Sequence, residues 1–143
     1  MSAEERLERA TRLCAGRGAR LTPQRARVLR ILIEAERPLG AYEILAEMAG
    51  GQRALAPPTV YRALEFLLAQ GLVHRLETLN AFIDCRHPER PHPAQFLICS
   101  ACGRVVEIDD EAIAARLLDA ATQSGFAASR KVVEVIGVCE GCR

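Results

Sequence analysis

Residues 57–85 read Pro57-Pro58-Thr59-Val60-Tyr61-Arg62-Ala63-Leu64-Glu65-Phe66-Leu67-Leu68-Ala69-Gln70-Gly71-Leu72-Val73-His74-Arg75-Leu76-Glu77-Thr78-Leu79-Asn80-Ala81-Phe82-Ile83-Asp84-Cys85. Two periods meet in this stretch. Up to Gly71 the apolar residues Val60, Leu64, Leu67 and Leu68 share one face at ~100° per residue, which predicts a helix opened by the proline pair and ending near Gln70. After Gly71 the pattern alternates. Leu72 to Glu77 and Ala81 to Cys85 read as two short strands around a Thr78-Leu79-Asn80 turn. A helix that runs into a β-hairpin is the second half of a winged helix-turn-helix.

The residues before it supply the rest. Leu7, Ala10 and Cys14 fall on one helical face, with Cys14 expected to be a buried structural thiol. Thr22 followed by Pro23 is a helix start, and Val28, Ile31, Leu32 and Ala35 continue that helix. Pro38 and Gly40 interrupt the pattern, and a short helix from Ala41 to Met48 ends at Gly50-Gly51.

Beyond Cys85 the character changes. Pro88, Pro91 and Pro93 fall within six residues and forbid a regular element. Gln95 to Ile98, Val105 to Ile108 and Val132 to Ile136 are strand-like. Asp109 is placed to cap a helix carrying Asp110 and Glu111 in its first turn and Ile113, Leu117, Ala120 and Ala121 on its apolar face. The expected architecture is α+β. A winged helix-turn-helix domain spans 1–85, a hinge spans 86–93, and a small α/β domain spans 94–143.

Charge separates the halves. The whole 143-residue chain carries 19 basic and 18 acidic residues, a net of +1, which excludes a uniformly basic coat. Residues 1–80 nevertheless hold 12 Arg against 9 Asp and Glu, and residues 12–37 hold seven Arg against Glu34 and Glu36. Half the residues are apolar, enough for a core. The arginine-studded first twenty residues lack the apolar stretch of a secretory signal, and no apolar run approaches a membrane span. The expected compartment is the cytoplasm, where six cysteines point to metal or redox chemistry rather than a disulfide scaffold.

The strongest chemical signal is Cys99-Ser-Ala-Cys102-Gly103 with Cys139-Glu-Gly-Cys142. Two residues between cysteines allow both thiolates to face one tetrahedral ion from a tight turn, and each pair follows an apolar strand. A structural zinc held by four thiolates is expected. The rival is a redox pair, but a thioredoxin-type motif opens a helix. Here β-prone residues follow Cys102, and Arg143 alone follows Cys142.

A looser set is His74, Cys85, His92 and Glu107, with His87 as a spare for His92. Each has a plainer reading alone: a surface histidine, a small buried thiol, a solvated carboxylate. Together, one thiolate, two imidazoles and one carboxylate suit zinc better than magnesium, calcium or manganese. Four protein ligands leave no open position for hydrolysis, and no nucleophile–base pair stands out, so an enzyme is not expected. Arg62, Thr59 and Tyr61 lie near the start of the 57–70 helix on its polar side, where a recognition helix reads base edges. Arg20, Arg25 and Arg27 are candidate phosphate contacts. A solvated helix face is the alternative.

At Arg20-Leu-Thr-Pro-Gln-Arg25, Pro58-Thr-Val-Tyr-Arg-Ala-Leu64, Cys99-x-x-Cys102-Gly103 and Cys139-x-x-Cys142 the chain resembles the ferric uptake regulator family over essentially its whole length. Leu72-Val-His74-Arg, Cys85 and Phe96-Leu-Ile-Cys99-Ser-Ala-Cys102-Gly are most similar to the family's zinc-sensing branch. The resemblance implies a zinc-responsive transcriptional repressor that binds double-stranded operator DNA as a homodimer, with two zinc ions per subunit and no small-molecule substrate. It implies Cys99, Cys102, Cys139 and Cys142 as structural zinc ligands, and His74, Cys85, His92 and Glu107 as regulatory ones. Tyr61 and Arg62 fall at its DNA-reading positions. The histidine-rich run that iron-type members carry before the first CxxC is replaced by Arg90-Pro91-His92-Pro93-Ala94, which weakens an iron or peroxide assignment. A sensor of iron, nickel or manganese in the same family, and a zinc-ribbon module without DNA, are the remaining alternatives.

Overall fold

The computed structural model describes residues 1–50 and 57–143. The chain divides into two compact units, Met1–Arg90 and Pro91–Arg143.

The first unit contains α1 (Ala3–Gly16), α2 (Pro23–Ala35), α3 (Ala41–Ala49) and α4 (Pro57–Ala69), followed by β1 (Val73–Leu76) and β2 (Ala81–Asp84). Local chemistry fixes the helix starts. Ser2 caps α1 in a reciprocal box with Glu5, each accepting a backbone N–H of the other. Thr22 accepts the Arg25 N–H at 3.4 Å ahead of Pro23 at the first turn of α2. The end of α3 at Gly50 takes a left-handed φ of 54°, which a residue without Cβ adopts at little cost. Val28, Leu32, Ile44, Val60, Leu64 and Leu67 meet in the core, so the apolar faces read for α2 and α4 are the ones that pack. Cys14 is fully buried among them, and burial pushes its thiol pKa up.

The hairpin pairs β1 and β2 antiparallel, with His74 opposite Ile83 and Leu76 opposite Ala81. Asn80 turns the chain at a φ of 47°. Leu39 adds an isolated bridge to Phe82, exchanging both backbone hydrogen bonds at 2.8–2.9 Å. The sequence pattern does not announce this third short rung, because one residue carries no period.

The second unit contains β3 (Gln95–Cys99), β4 (Val105–Ile108), α5 (Glu111–Gln123), β5 (Val133–Gly137) and a short 3₁₀ turn, Glu140–Cys142. The sheet order is β4-β3-β5, with β3 antiparallel to β4 and parallel to β5. A parallel pair needs a crossover, and α5 provides it. The residue that caps α5 is Asp110, not Asp109. Its Oδ1 accepts the N–H groups of Ala112 and Ile113 at 2.9 and 3.2 Å. The reason lies across the sheet. The buried amide of Gln95 donates to the Asp110 carbonyl and accepts the Asp110 N–H, both at 3.0 Å. That pair of hydrogen bonds accompanies extended backbone at Asp110, with its carboxylate at the helix start.

Candidate metal centres and nucleic-acid face

Four sulfurs converge in the second unit. Cys99 closes β3, and Cys102 follows in a turn where Gly103 has φ 79°. Cys139 and Cys142 bracket the 3₁₀ turn after β5. Because β3 and β5 run parallel and in register, Cys99 lies opposite Gly137, and the two strand ends deliver both pairs to the same place. The four Sγ atoms lie within 4.8 Å of one another, and Cys102 and Cys139 are 3.8 Å apart. Zinc–sulfur bonds of about 2.3 Å in a tetrahedron put sulfurs ~3.8 Å apart, so the set fits zinc.

The thiols are tuned unequally. Backbone N–H groups of Cys139 and Cys102 donate to Cys99 Sγ at 3.3 and 3.4 Å, and lower its pKa to about 6. Cys142 hydrogen-bonds to the sulfurs of Cys139, Cys102 and Cys99, and its pKa is pushed up to about 12. Four thiolates this close would repel one another, and a bound cation would offset that repulsion. Strand β4, not a helix, follows the first pair, so the dipole that activates a redox CxxC is missing from that turn.

The second candidate set has two residues in each unit. In the first, His74 stands on β1, and Cys85 sits one residue past β2 with its N–H bonded to the Leu72 carbonyl at 2.9 Å. Their ligand atoms lie within 4.8 Å of each other. In the second, His92 Nε2 and Glu107 Oε1 are 2.8 Å apart, with both side chains largely shielded from solvent. Two ligand atoms on one tetrahedral zinc, each ~2.0–2.1 Å from it, sit ~3.3 Å apart. The His92–Glu107 hydrogen bond therefore needs to open by about half an ångström to admit an ion. His87, the spare, faces outward and pairs with Glu89 at 3.5 Å.

On α4, Tyr61 and Arg62 are exposed and Thr59 is half-buried. The Arg62 Nε donates back to the Pro58 carbonyl at 3.3 Å. Arg20 is exposed. Arg25 is not simply solvated: its guanidinium lies 3.8 Å from the Phe66 ring centroid and donates to the Arg20 carbonyl at 2.7 Å. The Arg27 guanidinium donates to the Met48 carbonyl. The sequence pattern does not single out Tyr42. It is 75% exposed at the start of α3 and shares with Tyr61 and Arg75 a groove of about 620 Å³. Its place after the Pro38–Gly40 break was the available signal.

The ferric uptake regulator family model matches residues 16–136, and the chain belongs to that family, whose members are transcription factors rather than enzymes. It is 39% identical over 140 residues to the zinc uptake regulation protein of Escherichia coli K12, covering 97% of this chain and 82% of that one. A solved zinc uptake regulator complexed with zinc and DNA superposes with a TM-score of 0.93 at 37% identity, over 99% of this chain and 95% of that one. The crystal structure of holo XcZur gives 0.88 at 42% identity, over 98% and 97%. Within the family the chain falls in the zinc uptake regulator branch. No helix among the described residues is long and apolar enough to cross a membrane.

Proposed function

We propose that the chain is a zinc-responsive transcriptional repressor that binds operator DNA as a homodimer when its regulatory site is filled. The observation that carries this reading is the division of the second ligand set. His74 and Cys85 belong to the winged-helix unit, and His92 and Glu107 belong to the other. A single zinc held by all four would join the two units across the 86–93 hinge. Cys99, Cys102, Cys139 and Cys142 would hold a second, structural zinc that adds folding energy to a small domain.

The chain's own residues then do the work. In the filled state the hairpin is fixed, and the two α4 helices of a homodimer present Thr59, Tyr61 and Arg62 to major grooves about one DNA turn apart, ~34 Å. Arg20 and Arg25 contact phosphates. Zinc favours that state only through tighter binding to it, and operator DNA tightens zinc binding by the same factor. The homodimer surface is built from the exposed apolar residues of the second unit, Leu117 and Leu118 on α5 and Val135, Ile136 and Val138 on and just after the edge strand β5. The sulfur donor Cys85 favours zinc over iron or manganese, and the relatives named for zinc uptake support the same metal.

The test is a gel shift on the chain's own promoter region across a buffered zinc series. Wild type is expected to bind only at high free zinc. Cys85→Ser is expected to lose zinc-dependent binding and keep its fold. Normal repression by that variant overturns the switch. Arg62→Ala is expected to weaken specific binding by ~1–3 kcal/mol; an equal loss on random DNA makes Arg62 a phosphate contact instead.

A further inference from the structure

Arg6 and Arg9 of α1 and Arg17 at its C-cap reach across to the segment that carries Cys85. Arg6, Arg9 and Arg17 lie within about 80° of arc at ~100° per residue, and so on one side of α1 and its C-cap. The Arg6 guanidinium pairs with the Asp84 carboxylate, which is 5% exposed. Arg9 donates to the Arg86 carbonyl at 3.4 Å and lies 3.6 Å from Glu89. Arg17 donates to the Pro88 carbonyl at 3.0 Å and to the Gln70 carbonyl, at the α4–β1 turn, at 2.6 Å. Residues 84–89 thus receive a contact on each side of Cys85. β2 ends at Asp84, so these contacts act on backbone that lies past the strand.

We infer that the arginine face of α1 positions Cys85: it holds the 84–89 segment so that the thiol is presented ready for the ion, and thereby sets the zinc level at which the protein responds. This rests on Cys85 being a regulatory ligand. A ligand on a free strand must be ordered when the ion binds, and that cost lowers affinity. Outer partners of metal ligands are commonly worth 10–100-fold in metal affinity. The grip also confines hinge motion to the residues after Glu89. Arg6, Arg9 and Arg17 are positioning residues, since none offers an atom to a metal.

The experiment uses the full-length chain with its four-cysteine site loaded. Arg17→Gln removes two hydrogen bonds from an exposed side chain and leaves the core intact; Arg6→Met is the stronger variant. Two readouts are compared with wild type. The first is the rate of Cys85 alkylation by iodoacetamide under zinc limitation, followed on the Cys85 peptide by mass spectrometry. The second is the free-zinc midpoint of operator binding. The expected result is faster alkylation and a midpoint raised about tenfold, with operator affinity at saturating zinc unchanged. Arg17→Lys, with one donor group in place of the fork, is expected to recover part of the shift. Unchanged alkylation in both variants overturns the inference, whatever the metal does. So does faster alkylation with an unmoved midpoint, or equal loss at every zinc level, which a merely destabilised fold gives. If wild type itself shows no zinc dependence, the sensing role falls together with the functional reading, and the alkylation data alone then report on the grip.

Discussion

In Met1–Arg90, residues such as Val28, Leu32, Ile44 and Leu67 are shut away from solvent by their own neighbours. In Pro91–Arg143, α5 has no buried residue, and Phe126 and Val135 stand 73% and 54% exposed. The first unit buries its apolar surface by packing four helices. The second has one helix and three short strands and buries only a few apolar residues, Phe96 and Ile98 among them; on our reading it relies on what joins it from outside, a metal on its sulfurs and a second copy on its exposed apolar residues. Small domains that lack a sufficient core need such supports.

The largest effect that tests this contrast is metal removal. Structural zinc contributes apparent binding energies of about 10–16 kcal/mol in small domains. Stripping the four-cysteine site with a strong chelator is expected to abolish amide protection in 91–143 and leave α2 and α4 protected, as read by hydrogen exchange on the full chain. Uniform loss in both units would break the contrast. The pH dependence has a definite sign. The Cys99 thiol is held at about 6, below its unfolded value, so its stabilising hydrogen bonds count fully above the ordinary thiol range and are lost as pH falls through about 6. In the metal-free unit, zinc loading is expected to weaken below that pH and to release fewer than four protons above it.

Next comes a core truncation. Leu32→Ala removes a fully buried side chain and is expected to cost about 2–5 kcal/mol, lowering the melting midpoint of the first unit without loss of zinc from the second. Smaller still, Val135→Asp changes a half-exposed residue. It is expected to leave the second unit's fold nearly unchanged while raising the dimer dissociation constant ~10–100-fold, about 1.4–2.7 kcal/mol, by analytical ultracentrifugation. An unaltered dimer would place the apolar side elsewhere than at the interface.

Much of the fold is legible in the sequence because its signals are local. The Thr22-Pro23 start, the α4 apolar face and the alternation after Gly71 each act within one turn or one hairpin. The convergence of the two CxxC pairs is foreshadowed by each following an apolar strand, although only the parallel register of β3 and β5 explains it. What the sequence hides is tertiary. Asp109 and Asp110 are equally good capping residues on paper, and the choice is made by Gln95, fifteen residues away. Nothing in the sequence pairs Arg6 of α1 with Asp84, 78 residues away. Arg25 reads as a phosphate contact, and its half-buried guanidinium also stacks on Phe66.

The grip of Gln95 on Asp110 has a consequence for Glu107. Side chains along a strand alternate between faces, so a slip of one residue between β3 and β4 would turn Glu107 to the opposite side and away from His92. A side-chain amide that claims both the donor and the acceptor of a single backbone unit tolerates no such slip. It acts as a ratchet pawl for the ladder, keeping the carboxylate in step with the imidazole.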